Sequence, residues 1–162
     1  MSLGIDIHID NQVADYTAKL WAGKVNQFYG RVFRNENEEG KIIPEWWISG
    51  NEYKEVLTDD TKDAQCFFDV LPASEVMGND LKSEIQIYFM VNLYSLYPTY
   101  SRTEASEQVI RDVLNYTKGT ITRVTRGFES FKTWDYPQSS WRGDMSPYFL
   151  FRVDFTLIYN NC

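Results

Sequence analysis

The longest alternation of apolar and polar positions in the chain runs over residues 84–97. Ile85, Ile87, Phe89, Val91 and Leu93 form one phase, and Gln86, Tyr88, Met90, Asn92 and Tyr94 the other. A repeat of two, rich in β-branched and aromatic residues, predicts a long strand. Its odd phase is wholly apolar and is expected to meet the core. Its mixed even phase is expected to be covered in part, or by a partner. Pro98 has no N–H for a ladder and is expected to end the run. Ser101-Arg102-Thr103-Glu104 follows with capping-box spacing, predicting a helix over 102–116. Ala105, Val109, Ile110, Val113 and Leu114 make its apolar stripe, and Lys118-Gly119 is expected to close it. A second long alternation, with Phe149, Phe151, Val153, Phe155, Leu157 and Tyr159 in one phase, predicts a final strand over 148–159. Neither strand is bounded by the crossover that a close parallel partner needs, so the two are expected to be antiparallel neighbours.

The rest of the pattern is weaker. Residues 9–22 predict a first helix, with Asp10 as N-cap and Val13, Tyr16, Leu20 and Trp21 near helical spacing. Asp15 and Lys19 stand at i, i+4, and Gly23 supplies a stop. Residues 28–34 predict a strand, with Phe28, Gly30, Val32 and Arg34 on one side and Tyr29, Arg31 and Phe33 on the other. The polar run over 35–41 predicts a turn. Residues 42–48 resume strand character, and Pro44 points to an edge or a bulge. Together they predict a long hairpin. Residues 51–63 are expected to be irregular, 64–71 a short strand ended by Pro72, and 73–83 a loop. Residues 120–125 and 128–134 are expected to be strands, and 135–147 the longest loop. The order predicts one α+β domain spanning 1–162: a mostly antiparallel sheet with two helices packed on one face and a protruding hairpin.

Composition sharpens this picture. Among 162 residues 43% are apolar and 16% aromatic, enough for an ordered core. The formal net charge of −7 is opposite in sign to that of a groove that neutralises phosphates. No apolar run reaches the length of a membrane span. Met-Ser-Leu-Gly-Ile-Asp at the start has no basic region ahead of an apolar segment, so no secretory signal is expected. Cys66 lies within an apolar strand and is expected to be a buried thiol; Cys162 is expected to fray. This usage fits a reducing compartment.

Candidate chemistry is sparse. The single histidine, His8, would have to serve any Ser/His/Asp or Cys/His arrangement. No metal-ligand spacing occurs, and Asp59-Asp60-Thr61-Lys62-Asp63 reads as a solvated loop. No Gly-rich phosphate loop is present. The chain is therefore expected to be no enzyme and to need neither cofactor nor metal. Two features remain. Glu36, Glu38 and Glu39 concentrate charge at the hairpin tip, where charge either keeps the hairpin soluble or reaches a neighbour or a channel. Trp46, Trp47, Trp134, Tyr136 and Trp141 supply aromatic anchors of the kind found at partner surfaces. Adjacent strand residues face opposite ways, so Trp46 and Trp47 cannot enter the same core.

The order of helix, strand and hairpin (Val13 to Trp21, Tyr29-Gly-Arg-Val-Phe-Arg34, 42–48), central strand (85–94), capped helix (102–116) and closing strand (148–159) resembles the tail terminator, or tail completion, proteins of long-tailed bacteriophages. The resemblance covers nearly the whole chain and rests on element order and aromatic strands. It implies a virion structural protein without catalytic chemistry. It implies a homo-oligomer, a hexameric ring on the head-proximal end of the tail tube that stops tube polymerisation and docks to the head-tail connector. Its partners would be the tail tube protein and the connector, with no membrane. DNA would pass through the lumen without specific binding, and an acidic lumen would repel its phosphates. Another neck or tail component, such as a connector or tube protein, remains open. So does a carbohydrate-binding module with Trp134, Tyr136 and Trp141 as stacking platform.

Overall fold

The computed structural model describes residues 4–23, 27–49, 52–56, 62–135 and 147–160. Helix α1 (Ile5–Lys19) runs into a 3-10 turn, Leu20–Gly23. Strands β1 (Gln27–Glu36), β2 (Ile42–Ser49), β3 (Glu52–Glu55), β4 (Ala64–Met77) and β5 (Asp80–Asn92) follow. Then come the short helix α2 (Leu93–Leu96), helix α3 (Arg102–Tyr116), strand β6 (Thr120–Arg126), a second 3-10 turn (Gly127–Phe131) and strand β7 (Tyr148–Asn160). The strands form a seven-stranded sheet in the order β3-β2-β1-β4-β5-β7-β6. Every pairing is antiparallel except β1 with β4. The architecture is α+β, as the pattern predicts.

The expected pairing of the two long strands is present. β5 and β7 stay in register over thirteen pairs, from Asp80 opposite Asn160 to Asn92 opposite Tyr148. Phe89 lies opposite Phe151 with rings stacked 4.8 Å apart, flanked by Ile87 opposite Val153 and Val91 opposite Phe149. These side chains share one core cluster with Ile9 and Tyr16 of α1, Cys66 and Phe68 of β4, and Val109 and Val113 of α3. Burial pushes the Cys66 thiol well above its ordinary pKa, so it stays protonated and inert.

Several boundaries differ from expectation, each for a local reason. α1 begins at Ile5 rather than near Asp10, because Ile5, Ile9, Gln12 and Tyr16 form its buried stripe and Asp10 is exposed within it. The Gln12 side chain accepts from the Lys118 N–H at 2.7 Å and donates to the Tyr116 carbonyl, so a residue of α1 closes the end of α3. The Asp15–Lys19 pair forms at 3.9 Å, and Lys118 joins Asp15 at 3.2 Å. α3 opens as predicted, with Ser101 Oγ accepting from the Glu104 N–H at 3.3 Å. It ends at Tyr116, before Lys118-Gly119, with Thr117 as its cap. β5 stops at Asn92, not Pro98. The Asn92 carboxamide accepts from the N–H groups of Tyr94 and Ser95, turning the chain into α2. Pro72 does not end β4; the strand absorbs it in a bulge between Val70 and Ser74 and continues to Met77. What looked like a loop over 73–83 is a tight hairpin, closed by Gly78-Asn79 with Gly78 at φ 63°. Residues 52–55, expected to be irregular, form β3.

A bulge also corrects the phase of β1. Phe28 pairs with Cys66 and Arg31 with Phe68, so Tyr29 and Gly30 together oppose one residue of β4. Gly30 takes φ 73°, which a bulge of this kind requires. Phe28 therefore packs against the main core while Val32 lies in a second cluster on the other face. Pro44 is neither at an edge nor at a bulge. Its carbonyl accepts from Val56 N–H, so its missing donor points beyond β3 and costs no bond to β1.

The second face has its own cluster. Val32, Val56, Phe67, Tyr88, Met90 and Leu150 are closed over by Phe131 and Trp134. Residues 128–134, expected to be a strand, instead form the 3-10 turn and the turn after it. This segment crosses the sheet and is tied down at its far end, where Asp135 N–H donates to the Ile42 carbonyl and Asp135 Oδ2 accepts from Ile42 N–H.

Candidate interaction surface

The adjacent tryptophans of β2 separate as strand geometry demands. Trp46 lies opposite Val32 and packs edge-on against Tyr29, 6.0 Å between centroids, at the margin of the second cluster. Trp47 emerges on the other face, 48% exposed, in register with Tyr53 of β3, also 48% exposed. Phe33 of β1 meets Tyr53 edge-on at 6.0 Å. Three aromatic side chains from three neighbouring strands thus share one solvent-facing surface. The Arg31 guanidinium stands 5.0 Å from the Phe33 ring and 3.1 Å from Asp6 of α1. Between α1 and this surface lies an open cleft of about 470 Å³, whose lining includes Asp6, Asp10, Val13, Arg31, Phe33 and Trp47.

The acidic tip adjoins this end of the sheet. Glu36, Glu38 and Glu39 are all exposed. The turn is built by Asn37 instead. Asn37 Oδ1 accepts from the N–H groups of Glu39 at 3.0 Å and Lys41 at 2.9 Å, and Asn37 N–H donates to the Lys41 carbonyl. Replacing Glu36, Glu38 and Glu39 together by Ser is therefore expected to leave the melting temperature within about 2 °C of the parent. Differential scanning calorimetry checks this; a collapse of the transition would show the carboxylates to be structural.

Trp134 is not a surface anchor. It is 4% exposed, packed against Phe67 and Tyr88 at 5.8 and 5.9 Å, with the Arg34 guanidinium 4.2 Å from its ring centre. Enclosed in this way it offers no stacking platform to a sugar. Tyr136 and Trp141 lie outside the described residues, as do Cys162 and Asp59, Asp60 and Thr61. His8 is exposed on α1, its ring 5.8 Å from that of Tyr159. Among the described residues no group of three His, Cys, Asp or Glu side chains could hold a metal ion.

Sequence reasoning missed a polar row on the second face. Asp69, Gln86, Asp154 and Arg123 face one another across β4, β5, β7 and β6. Asp69, 3% exposed, receives the Arg34 guanidinium at 2.6 Å. Burial pushes its carboxyl pKa up, and the adjacent Arg34 charge offsets part of that rise. Arg152, also buried, binds Asp154 at 2.8 Å and the Ser130 carbonyl at 3.3 Å. The buried acid Asp69 and the buried cation Arg152 each therefore have a partner of opposite charge, and these pairs brace the sheet. An acid on β4 and another on β7 between apolar neighbours are the only sequence signal for it.

Comparison with known proteins gives no relative: no family model matches the chain, and neither a curated protein nor a solved structure is similar to it.

Proposed function

We propose that the chain is a virion structural protein, a tail terminator that assembles as a ring of six on the head-proximal end of a phage tail tube. It halts tube polymerisation and presents a docking face to the head-tail connector. In this reading α1 and α3 cover one face of the sheet, and the β1–β2 hairpin projects toward a neighbour or the lumen. The observation that carries this reading is the gathering of Phe33, Trp47 and Tyr53 on one open surface beside an acidic tip. Exposed aromatic clusters with polar rims are the usual footing of protein contacts. The order of elements, the two long paired strands and the net charge of −7, which lets DNA slide past without adhering, support it as well.

The test is mass in solution. Light scattering at micromolar concentration is expected to give six times the chain mass for the protein alone, and that mass plus the bound partner's with a tail tube protein. A strict monomer under both conditions overturns the reading. Trp47→Ala is expected to fold with an unchanged transition and to weaken association by about 30-fold, the effect of losing an interface anchor worth ~2 kcal/mol. Sedimentation across a concentration series measures it.

A further inference from the structure

The sheet ends in two strands of opposite chemistry. β3 and β6 are its terminal strands, and among the described residues neither pairs with another strand on its outer side. β6 carries Arg123 and Arg126 and no acid. β3, Glu-Tyr-Lys-Glu, carries Glu52 and Glu55 around Lys54, and Glu55 lies opposite a further acid, Glu45 of β2. All five charged side chains of the two strands are exposed. Arg126 also reaches Glu107 of α3 at 3.1 Å, in a pair about half exposed.

Strand direction adds a geometric constraint. β3 runs with β1, since each is antiparallel to β2. β1 runs with β4, β4 opposes β5, β5 opposes β7 and β7 opposes β6. β6 therefore runs opposite to β3. A rotation about an axis lying along the strands preserves strand direction. It brings β6 of one copy against β3 of the next as an antiparallel pair, the more stable ladder. Two-fold pairing of β6 with β6 would set arginine against arginine, and β3 with β3 glutamate against glutamate. Like charges across a ladder oppose pairing.

We infer that the partner of each edge is the other edge of a second copy of this chain, so that the sheet continues from subunit to subunit through β6–β3 contacts. The contact is heterologous and closes into a ring when the rotation permits. The charges of the two edges act as a selector, admitting the head-to-tail contact and rejecting the two-fold ones. This inference rests on the ring reading and names the surface by which the ring would close.

A charge-swap experiment tests it. Two variants are made, Arg123→Glu with Arg126→Glu, and Glu52→Lys with Glu55→Lys. All four side chains are exposed, but Arg123 faces Asp154 and Arg126 reaches Glu107, so a small drop in the melting transition is expected of the first variant alone, and a melting scan of each confirms the fold before association is compared. The first has two acidic edges and the second two basic edges. Each alone is expected to need about tenfold or more higher concentration to assemble than the parent. Mixed in equal amounts they are expected to recover the parent's mass, because copies can then alternate around the ring with opposite charges at every contact. Variants that each form rings as readily as the parent overturn the edge pairing and leave the ring reading standing. Variants that fail to assemble and are not rescued on mixing also overturn the pairing. A parent chain that stays monomeric, with or without tube protein, removes both.

Discussion

Phe151→Ala is expected to yield insoluble or unfolded protein. Phe151 is fully buried, stacked 4.8 Å from Phe89 across the β5–β7 ladder and 5.4 Å from Phe149. It lies in the same cluster as α1 and α3 residues. Removing a buried phenyl ring costs ~3–5 kcal/mol through lost transfer energy and the cavity left behind. That is a large share of the ~5–15 kcal/mol that stabilises an ordinary domain. The comparison variant is Phe33→Ala, which removes the same ring from the open surface and is expected to change stability by less than ~1 kcal/mol. Soluble yield and urea denaturation measure both. Both rings face the same side of the sheet, so well-behaved Phe151→Ala beside insoluble Phe33→Ala would mean that the core of that face lies over β1 to β3 rather than over β5 and β7.

Arg34→Met is expected to destabilise the fold by ~3–5 kcal/mol at neutral pH, because it strands a buried carboxylate. Asp69 keeps its place on β4 but loses the guanidinium at 2.6 Å. The pH dependence follows from the direction of its pKa. Burial already holds the Asp69 carboxyl above its ordinary value, with Arg34 working against that rise. A raised folded-state pKa means that the folded chain binds this proton more readily than the unfolded chain. Its contribution to stability is therefore full at acid pH and falls as pH rises from the ordinary carboxylate range through the raised value. Without Arg34 the folded-state pKa climbs further and the fall becomes deeper. The deficit of the variant relative to the parent should thus shrink between neutral pH and about pH 4. Adding Asp69→Asn should recover part of it at neutral pH. A deficit that is the same at both pH values would show that Arg34 acts only by packing over the Trp134 ring.

The parts of the fold that sequence alone revealed are those where local pattern and tertiary contact agree. β5 and β7 each have one wholly apolar phase, and that phase enters the main cluster, while Tyr88, Met90 and Leu150 of the other phase are buried in the second. Ser101 and Glu104 are three residues apart and cap α3 by local bonds. The failures share a cause. A single inserted residue reverses every side chain beyond it, so the bulge at Gly30 defeats any reading by parity, while the bulge that absorbs Pro72 conceals that β4 continues past it. The pairing of β1 with β4 is parallel and distant in sequence, and leaves no mark on either strand. Trp134 looks like a loop aromatic because its neighbours are polar and irregular. Its burial comes from Phe67 and Tyr88, more than forty residues earlier. The candidate surface was half visible. Trp47 stood out because two adjacent tryptophans cannot share a face, whereas Phe33 and Tyr53 join it only once β1, β2 and β3 are aligned.

The place of β7 in the sheet has a consequence for how this protein is made. Residues 148–160 are the last described strand in the chain, yet β7 sits inside the sheet, between β5 and β6. Its ladder joins Asn92 to Tyr148 and Asp80 to Asn160, separations of 56 and 80 residues. On the ribosome, α1 through β6 would emerge with half of the principal ladder missing and the apolar phase of β5 uncovered. Such a chain cannot close its core until β7 has been delivered, and long-range pairings of this kind are slow to form. The nascent protein therefore passes through an interval in which an apolar central strand, paired with β4 on one side only, is open to other chains. Synthesis at lower temperature, or with a holdase chaperone in excess, should raise the soluble fraction by shielding that interval rather than by stabilising the finished fold.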